Sequence, residues 1–363
     1  MIKENFIKIY EDSFKANWDL PALTDYSKGI SFSFGEVATE IARIHILFEE
    51  CQIRRGDKIA LIGKDNSRWC ITYMAAVTYG AIIVPILQDF NPNDVHHIIN
   101  HSESVFLFTS DRIWDTLEEE KIANIRGVFS LTDFRCLHQR DGESIQKLLK
   151  TLDSKMAHKY PKGYSKEHIK YADLDNEKVV LLNYTSGTTG FSKGVMLTYG
   201  QYYAAIKAND ECVPVTDKDR VIDFLPFTHI FERAWSYLCL SEGARLFINT
   251  YPHEIQESMR EVHPTCMCSV PRFWEKVYIA VKAKMDEAPS FKKKLFNHAL
   301  AVGRKRNVEY LANGKRPPLT LELEYKVINK TVLSMVRKQL GLDKPNIFPT
   351  AGAYVSPEVE AFV

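Results

Sequence analysis

The stretch from Val179 to Thr198, VVLLNYTSGTTGFSKGVMLT, constrains the fold more than any other part of the chain. An apolar, β-branched run ends at Tyr184 and a second apolar run begins at Val195, with mostly glycine, threonine and serine between them. Such flanks favour strands, so the stretch predicts two strands joined by a long loop. The glycines leave backbone N–H groups accessible, and the loop adds hydroxyls and the charge of Lys193. Donors and one cation without an acid are typical of phosphate binding.

The alternative interpretation of this stretch is a plain flexible hairpin loop. It is not a Walker A loop, because that motif places Gly-Lys before the Ser or Thr, whereas Lys193 follows Ser192. The loop does not run straight into a helix, so we expect little contribution from a helix dipole. The residues alone leave both interpretations open.

The string YTSGTTGFSKGV, residues 184–195, resembles the signature of the adenylate-forming enzymes, which include acyl-CoA synthetases, luciferases and peptide-synthetase adenylation domains. The resemblance implies that the loop holds the β- and γ-phosphates of ATP and that the Thr185 hydroxyl contributes to binding Mg²⁺. The loop residues that it assigns to ATP are Thr185, Ser186, Gly187, Thr188, Thr189, Gly190 and Lys193.

Composition and charge describe an ordinary protein surface. The charged fraction is 26% and the formal net charge is +1, which gives no case for binding nucleic acid. The seven cysteines mostly lie in apolar runs, which favours reduced, buried thiols and a cytoplasmic location. Cys266 and Cys268 fit alternate positions of a strand better than a zinc site, since no His/Cys cluster follows them. No signal peptide or membrane span stands out, while peripheral membrane contact stays open.

The first half of the chain alternates between predicted strands and helices, which favours βαβ units and a parallel sheet covered on both faces. The polar segment 137–176 is predicted to be a surface helix and a connector. We therefore predict an α/β fold with two lobes, residues 1–175 and 176–363, and mostly parallel sheets. The family resemblance implies the same layered architecture, that of the large N-terminal domain of adenylate-forming enzymes. The predicted strands are 58–62, 81–87, 105–109 and 128–131, and the predicted helices are 35–50, 67–79, 93–100 and 114–123.

A second candidate segment is LPFTHIFER, residues 225–233, at the end of a predicted buried strand. A histidine there lies at the carboxyl edge of a sheet, where α/β proteins bind ligands, although a lone histidine is often structural. The segment resembles long-chain acyl-CoA synthetases, which implies that His229 faces the acyl carboxylate and the adenylate. Phe231 and Trp235 fit either an acyl tunnel or core packing. Glu232 and Arg233 are interpreted as a surface pair without a catalytic role.

Two later segments also resemble the long-chain branch. VPRFWEKVY, residues 270–278, is similar to the segment of the long-chain branch where a strand ends and a helix starts. The basic helical stretch 277–340 is similar to an extension of that branch. Lys292–Lys294 within it are predicted to be a solvated face. A strand is predicted from Ile347. The stretch 350–358, TAGAYVSPE, resembles the segment that approaches the adenine and acyl head, which assigns Gly352, Ala353 and Tyr354 to nucleotide binding. Ala351 stands where glycine is usual.

The family pattern continues beyond the last residue of this sequence. Its Thr-Glu segment, ribose-binding aspartate, hinge and C-terminal domain do not follow Val363. We therefore expect an N-terminal portion, truncated before the end of its domain and incomplete for catalysis.

The resemblance implies ATP-dependent activation of a long-chain fatty acid to an acyl-adenylate and then to acyl-CoA, with ATP, Mg²⁺ and CoA as cofactors or co-substrates. His229 and Lys193 are the predicted catalytic residues. An aryl or short-chain acid–CoA ligase is an alternative, against which the extension 277–340 argues. A non-catalytic nucleotide- or acyl-binding protein is the alternative from another class.

Overall fold

A computed structural model describes residues 5–140, 142, 144–185, 192–210 and 212–362. The chain divides into two compact units, Met1–Pro252 and His253–Val363. The first unit holds eleven strands and eight α-helices within its described residues. The strands are β1 (Pro21–Asp25), β2 (Ile30–Ser33), β3 (Lys58–Ile62), β4 (Ile82–Ile86), β5 (Ser104–Thr109), β6 (Gly127–Ser130), β7 (Cys136–Gln139), β8 (Val179–Thr185), β9 (Lys193–Thr198), β10 (Arg220–Asp223) and β11 (Arg245–Ile248). The helices are α1 (Phe6–Ala16), α2 (Phe34–Glu50), α3 (Ser67–Tyr79), α4 (Pro92–His101), α5 (Asp111–Trp114), α6 (Ser144–Lys159), α7 (Tyr199–Asp210) and α8 (Ile230–Ser241).

Seven strands of the first unit form one sheet in the order β7-β6-β5-β3-β4-β8-β9. The five central strands are parallel, whereas the two edge strands, β7 and β9, pair antiparallel with their neighbours. A second sheet contains β10-β11-β1-β2, with parallel pairing except between β1 and β2. The predicted α/β class with mostly parallel sheets is confirmed.

The predicted amphipathic helix of the first unit shows why these residues fold as they do. Ser33 and Glu36 form a capping box at the start of α2. The four apolar residues predicted to share one face, Val37, Ile41, Ile44 and Leu47, are all buried. Helical periodicity therefore located this face correctly.

The predicted helix 114–123 is wrong as one element. The chain instead forms the short helix α5 and a separate 3₁₀ turn, Glu119–Ile122. Glu118 between them is extended, and its N–H donates to His96 Nε2 at 3.0 Å. This tertiary hydrogen bond replaces the one that a continuous helix would make.

The predicted lobe boundary at residue 175/176 falls inside the first unit. Strand β8, which follows that position, pairs with β4, which precedes it. The division into lobes 1–175 and 176–363 stays a prediction about the larger domain.

The second unit is mainly helical. Its helices are α9 (Ile255–Val262), α10 (Pro271–Asp286), α11 (Ser290–Arg304), α12 (Leu319–Ile328), α13 (Ser334–Leu340) and α14 (Pro357–Phe362), and its one named strand is β12 (Cys266–Met267). The stretch 277–340 is several helices with two π-helical segments, Lys305–Tyr310 and Asn329–Leu333, and a left-handed turn at Gly314.

The strand predicted from Ile347 is wrong as a continuous element. The chain there makes two isolated parallel bridges, Cys266 with Ile347 and Ser269 with Thr350. Pro349 lies between the bridges and has no N–H to donate, so a regular ladder is interrupted at that point.

Candidate active site

The two strands that flank the glycine- and hydroxyl-rich stretch, β8 and β9, form the antiparallel pair that the sequence predicts. β8 and β9 pair antiparallel up to Thr185 and Lys193, which are directly opposite each other. Both side chains are exposed. Ser186, Gly187, Thr188, Thr189 and Gly190 lie outside the described residues, so their assignment to ATP stays a prediction. The described strands bring a hydroxyl and a cation together at the mouth of the predicted loop.

Tyr184 fixes the geometry of the hairpin just before the loop. Its hydroxyl lies 2.7 Å from His101 Nδ1 on α4. Its ring packs against Gly194 so closely that an added Cβ there would lie 3.2 Å from Tyr184 Cζ. Gly194 therefore allows β9 to approach the ring, which sets the position of Lys193.

His229 forms the N-terminal cap of α8. The Phe231 N–H donates to His229 Nδ1 at 3.3 Å. Because Nδ1 is the acceptor, the neutral imidazole carries its proton on Nε2. The His229 side chain is exposed. The cap thus presents Nε2–H as a donor at the surface of the first unit.

Arg233 links the histidine turn to the hairpin. Its Nη1 donates to the carbonyls of Phe227 and Thr228 at 2.8 and 2.9 Å, directly before His229. Its Nη2 donates to Asn183 Oδ1 at 3.2 Å, in β8. One buried guanidinium therefore fixes the two predicted catalytic segments relative to each other.

The interpretation of Glu232 and Arg233 as a surface pair is wrong. Both are completely buried, at 0% exposure. Glu232 Oε1 accepts from the Phe224 and Leu225 N–H groups at 3.1 and 3.4 Å, so the carboxylate holds the end of the β10 segment. Glu232 accepts from backbone N–H groups of this turn, and Arg233 donates to its backbone carbonyls. Both adjacent charged side chains can therefore be buried.

A second carboxyl group lies beside Glu232. Asp223 ends β10, is 1% exposed and accepts a hydrogen bond from Ser236 Oγ at 2.7 Å. Burial raises the pKa of Asp223 to about 7, while hydrogen bonds from Ser236 and Glu232 act in the opposite direction. The pair therefore holds a proton in the range of neutral pH.

Sequence reasoning missed three polar residues that support this region. Asn183 and Asp223 hold the contacts described above, and Asp65 Oδ1 accepts from the Phe227 N–H at 3.1 Å. Asp65 and Asp223 follow or end the buried strands β3 and β10, so their positions at carboxyl strand ends were a usable signal. Asn183 carries no such signal, because it lies within a strand.

Phe231 and Trp235 occupy different environments on α8. Trp235 is buried at 7% exposure and Phe231 is half-buried. Burial agrees with core packing of Trp235. The acyl tunnel stays a prediction.

The third predicted group, Gly352, Ala353 and Tyr354, lies in the second unit. Gly352 has φ +96°, a conformation that favours glycine, and Tyr354 is 78% exposed. The segment is anchored before it begins: Trp274 Nε1 donates to Ser269 Oγ and Thr350 Oγ1, both at 2.8 Å.

Alanine at position 351 is compatible with its backbone. Among the described non-glycine residues, positive φ occurs at Gln52, Glu103, Phe134 and His263, so Ala351 is not in the left-handed region. Its N–H donates to Ser269 O at 3.2 Å. The methyl group therefore creates no backbone strain.

The described residues do not bring together three or more histidine, cysteine or acidic side chains that could hold a metal. Cys266 and Cys268 are buried, and Cys266 begins β12. All seven cysteines are thiols rather than disulfides. No helix in the described part of the chain combines the length and apolar character needed to cross a bilayer.

The two mostly parallel sheets are those of the large domain of adenylate-forming enzymes. The chain is similar to the N-terminal domain of FACL13 from Mycobacterium tuberculosis, with a TM-score of 0.61 and 17% identity, covering 75% of this chain and 64% of that one. It is also similar to VinN, with a TM-score of 0.63 and 17% identity, covering 79% and 67%. The chain belongs to the AMP-binding enzyme family, whose profile matches residues 10–362.

Relatives with curated names agree with this family. Long chain acyl-CoA synthetase 7, peroxisomal, from Arabidopsis thaliana is 24% identical over 91% of this chain and 45% of its own length. Acyl-CoA ligase 891, peroxisomal, from Penicillium brevicompactum is 26% identical over 84% of this chain and 43% of its own length. The chain thus spans less than half the length of these relatives.

Proposed function

We propose that this chain carries the ATP- and acyl-binding part of a long-chain fatty acid–CoA ligase that forms AMP. The family match over residues 10–362 carries the proposal, and the names of the relatives support the acyl substrate. In the proposed reaction, a fatty carboxylate oxygen attacks the α-phosphorus of ATP and pyrophosphate leaves. The thiol of CoA then attacks the acyl carbon, the thioester forms and AMP leaves. A cytoplasmic location stays a prediction from the reduced thiols.

The hairpin supplies charge neutralisation in this proposal. Lys193 and Thr185 lie opposite each other at the base of the loop, so the ammonium group and the hydroxyl can reach the same triphosphate. The Thr185 hydroxyl would help to hold Mg²⁺, which would supply further neutralisation of phosphate charge. The residues of the loop itself would add backbone and hydroxyl donors. Such preorganised donors stabilise the charge that develops on the leaving pyrophosphate.

His229 supplies orientation at the carboxylate end. Its Nε2–H would donate to an oxygen of the fatty carboxylate or of the adenylate, while the Nδ1 contact with Phe231 keeps the ring in that tautomer. Arg233 would fix the turn that carries His229 relative to β8. Gly352, Ala353 and Tyr354 are proposed to contact the nucleotide.

The alternative of a non-catalytic nucleotide- or acyl-binding protein makes a different prediction about turnover. Fatty-acid-dependent exchange of pyrophosphate into ATP separates catalysis from binding. We expect little or no exchange from these 363 residues and retained binding of Mg·ATP. Rapid exchange by this chain would show that the C-terminal portion of the family pattern is not needed.

The Lys193→Ala variant tests the phosphate site. We expect its affinity for Mg·ATP, measured by titration calorimetry, to fall by about tenfold or more, with an unchanged melting temperature, because a charged donor is lost from an exposed position. Lys178→Ala is the matched control, since Lys178 is an exposed lysine just before β8, at the opposite end of the hairpin. Equal affinities for the two variants would contradict the proposal. In a form of the protein that supports exchange, Lys193→Ala should slow exchange by about 10²-fold.

A further inference from the structure

The second unit contains an apolar cavity of about 130 Å³. Its lining comes from α10, α11, α13, α14 and the segment that follows α13. Four of the side chains that line it are aromatic: Trp274, Phe296, Phe348 and Phe362. We call the space between these rings the aromatic cavity. Apolar cavities of about 150 Å³ in other proteins hold a benzene molecule, so this one has the size that a single aromatic ring requires.

Trp274 contributes apolar surface to the cavity rather than a hydrogen-bond donor. Its Nε1 donates to Ser269 Oγ and Thr350 Oγ1, both at 2.8 Å, and neither partner lines the cavity. The side chain is 4% exposed, and its ring centroid lies 6.3 Å from that of Phe348 at an interplanar angle of 37°. Walls of this kind favour an aromatic ligand, because the edges and faces of aromatic rings attract each other.

Arg337 is the one charged residue that lines the aromatic cavity within the described part of the chain. Its side chain is half-buried, and its Nη2 donates to the neutral acceptor Asn329 Oδ1. No carboxylate among the described residues forms an ion pair with this guanidinium. A half-buried guanidinium beside an apolar space, without a carboxylate partner, is suited to the anionic group of a ligand.

The π-helical segment between α12 and α13 contributes to this arrangement. It supplies Leu333 to the lining and Asn329 as the acceptor of Arg337. After α13 the chain reverses, and the Leu342 N–H donates to the Arg337 carbonyl at 2.8 Å. Leu342 thereby returns to line the cavity. Segments of π-helix occur frequently at functional sites, which agrees with a ligand at this position.

We propose that the aromatic cavity binds a small aromatic molecule that carries one anionic group. The ring would lie among the aromatic side chains, and the anionic group would accept from the remaining N–H donors of Arg337. A neutral aromatic molecule would use the same walls but would leave the guanidinium without an opposite charge. None of the lining residues belongs to the predicted ATP or acyl site, so this site is additional to the proposed function.

Binding of benzoate and of benzenesulfonate tests the proposal without ATP or CoA, so its outcome does not depend on the proposed reaction. Each anion is titrated into the 363-residue chain and followed by ligand-observed NMR. We expect saturable binding with a Kd of about 1 mM or below. Benzyl alcohol, which has the same ring without the charge, should bind about tenfold more weakly. Absence of saturable binding of both anions, or equal binding of benzyl alcohol, would overturn the proposal.

The variant Val336→Phe tests the location of the ligand, because Val336 lines the cavity and a larger side chain would fill it. We expect its affinity for benzoate to fall by about tenfold or more, with an unchanged or higher melting temperature. Met335→Phe is the matched control, since Met335 is the preceding residue of the same helix, is 60% exposed and does not line the cavity. An unchanged affinity in folded Val336→Phe would place the ligand elsewhere in the chain and overturn the proposal.

The variant Arg337→Gln tests the recognition of charge. Loss of the guanidinium should weaken benzoate binding by about tenfold and leave the binding of benzyl alcohol unchanged. Lys338→Gln is the control, because it removes an exposed positive charge from the next residue, which does not line the cavity. Equal affinities of Arg337→Gln and the wild type for benzoate would overturn the assignment of an anionic ligand.

Discussion

Arg233 is the residue on which the arrangement of the candidate site most depends. Its two Nη atoms donate to the Phe227 and Thr228 carbonyls and to Asn183 Oδ1. Its Nε donates to the Tyr202 hydroxyl at 3.3 Å. A guanidinium can serve these directions at once because its donors are fixed in a plane. Lysine carries the same charge on one nitrogen and cannot replace this geometry.

We predict that Arg233→Lys destabilises the protein and weakens Mg·ATP binding beyond the loss of folded protein. Buried acceptors left without donors should lower the free energy of unfolding by about 3 kcal/mol, measured by urea denaturation. Arg245→Lys is the control, because Arg245 is a partly buried arginine that contacts Thr24 Oγ1 in the other sheet. If Arg233→Lys lowered stability but left the affinity of the folded fraction unchanged, a positioning role would be excluded.

Asp223 predicts a dependence of stability on pH. Its pKa is raised by burial to about 7 from an ordinary value of 3.8, so the folded state holds a proton that the unfolded state releases. This contribution to stability is complete below about pH 4 and is lost as the pH rises through 7, by about 1.4 kcal/mol per pH unit in between. The variant Asp223→Asn should lose less stability between pH 5 and pH 8 than the wild type, as measured by urea denaturation at each pH. Parallel stability curves for the two proteins would contradict this.

At the scale of elements, the hairpin passes into a capped helix. Thr198 ends β9; its N–H donates to Gln201 Oε1 at 2.9 Å, and its Oγ1 accepts from the Gln201 N–H at 3.3 Å. These two reciprocal hydrogen bonds form a capping box. It couples the far end of the hairpin to α7.

We expect Thr198→Ala to lower the free energy of unfolding by about 1 kcal/mol, because the start of α7 loses one cap. Thr198→Ser, which keeps the hydroxyl, should restore most of that loss. Chemical denaturation of the three proteins makes the comparison. Similar losses in both variants would assign the effect to packing of the Thr198 methyl group rather than to the cap.

Local patterns predicted most of the central strands and helices of the first unit. The strand Lys58–Ile62 and the helix Ser67–Tyr79 have the predicted bounds, because a buried apolar run and an N-cap followed by helical periodicity are local signals. The break at Glu118 was not predictable in this way, since it depends on a hydrogen bond to His96, far along the chain. The strand predicted from Ile347 is interrupted at Pro349, which has no N–H for strand pairing. The prediction gave more weight to the apolar pattern than to this proline.

The candidate site was predictable where its chemistry is carried by a motif. The hairpin and His229 were found from hydroxyls, glycines and the carboxyl end of a strand. The buried roles of Glu232 and Arg233 were not, because adjacent charged residues are usually exposed and nothing local shows which backbone groups they meet. Buried charges are retained where hydrogen bonds compensate them, as the backbone contacts of Glu232 Oε1 and Arg233 Nη1 do in this turn.

At the scale of the whole molecule, the candidate site residues and the excess of positive charge are distributed over two units of the chain. The first unit carries the hairpin, His229 and the Arg233 contacts, whereas the second carries the Gly352 segment and the excess of positive charge in 277–340. Placing Lys193 at a triphosphate site is the central claim, because both the proposed reaction and the role of Arg233 depend on it.

Protection of lysines from an amine-modifying reagent tests this claim directly. The rates at which Lys193 and Lys178 are modified are followed by peptide mass spectrometry in the same sample, with and without Mg·ATP. Both are exposed lysines at opposite ends of one hairpin, so each sample contains its own control. We predict that Mg·ATP slows modification of Lys193 by about tenfold and leaves Lys178 unchanged, since a bound phosphate covers only the first ammonium group. Equal rates at Lys193 with and without saturating Mg·ATP would contradict the account.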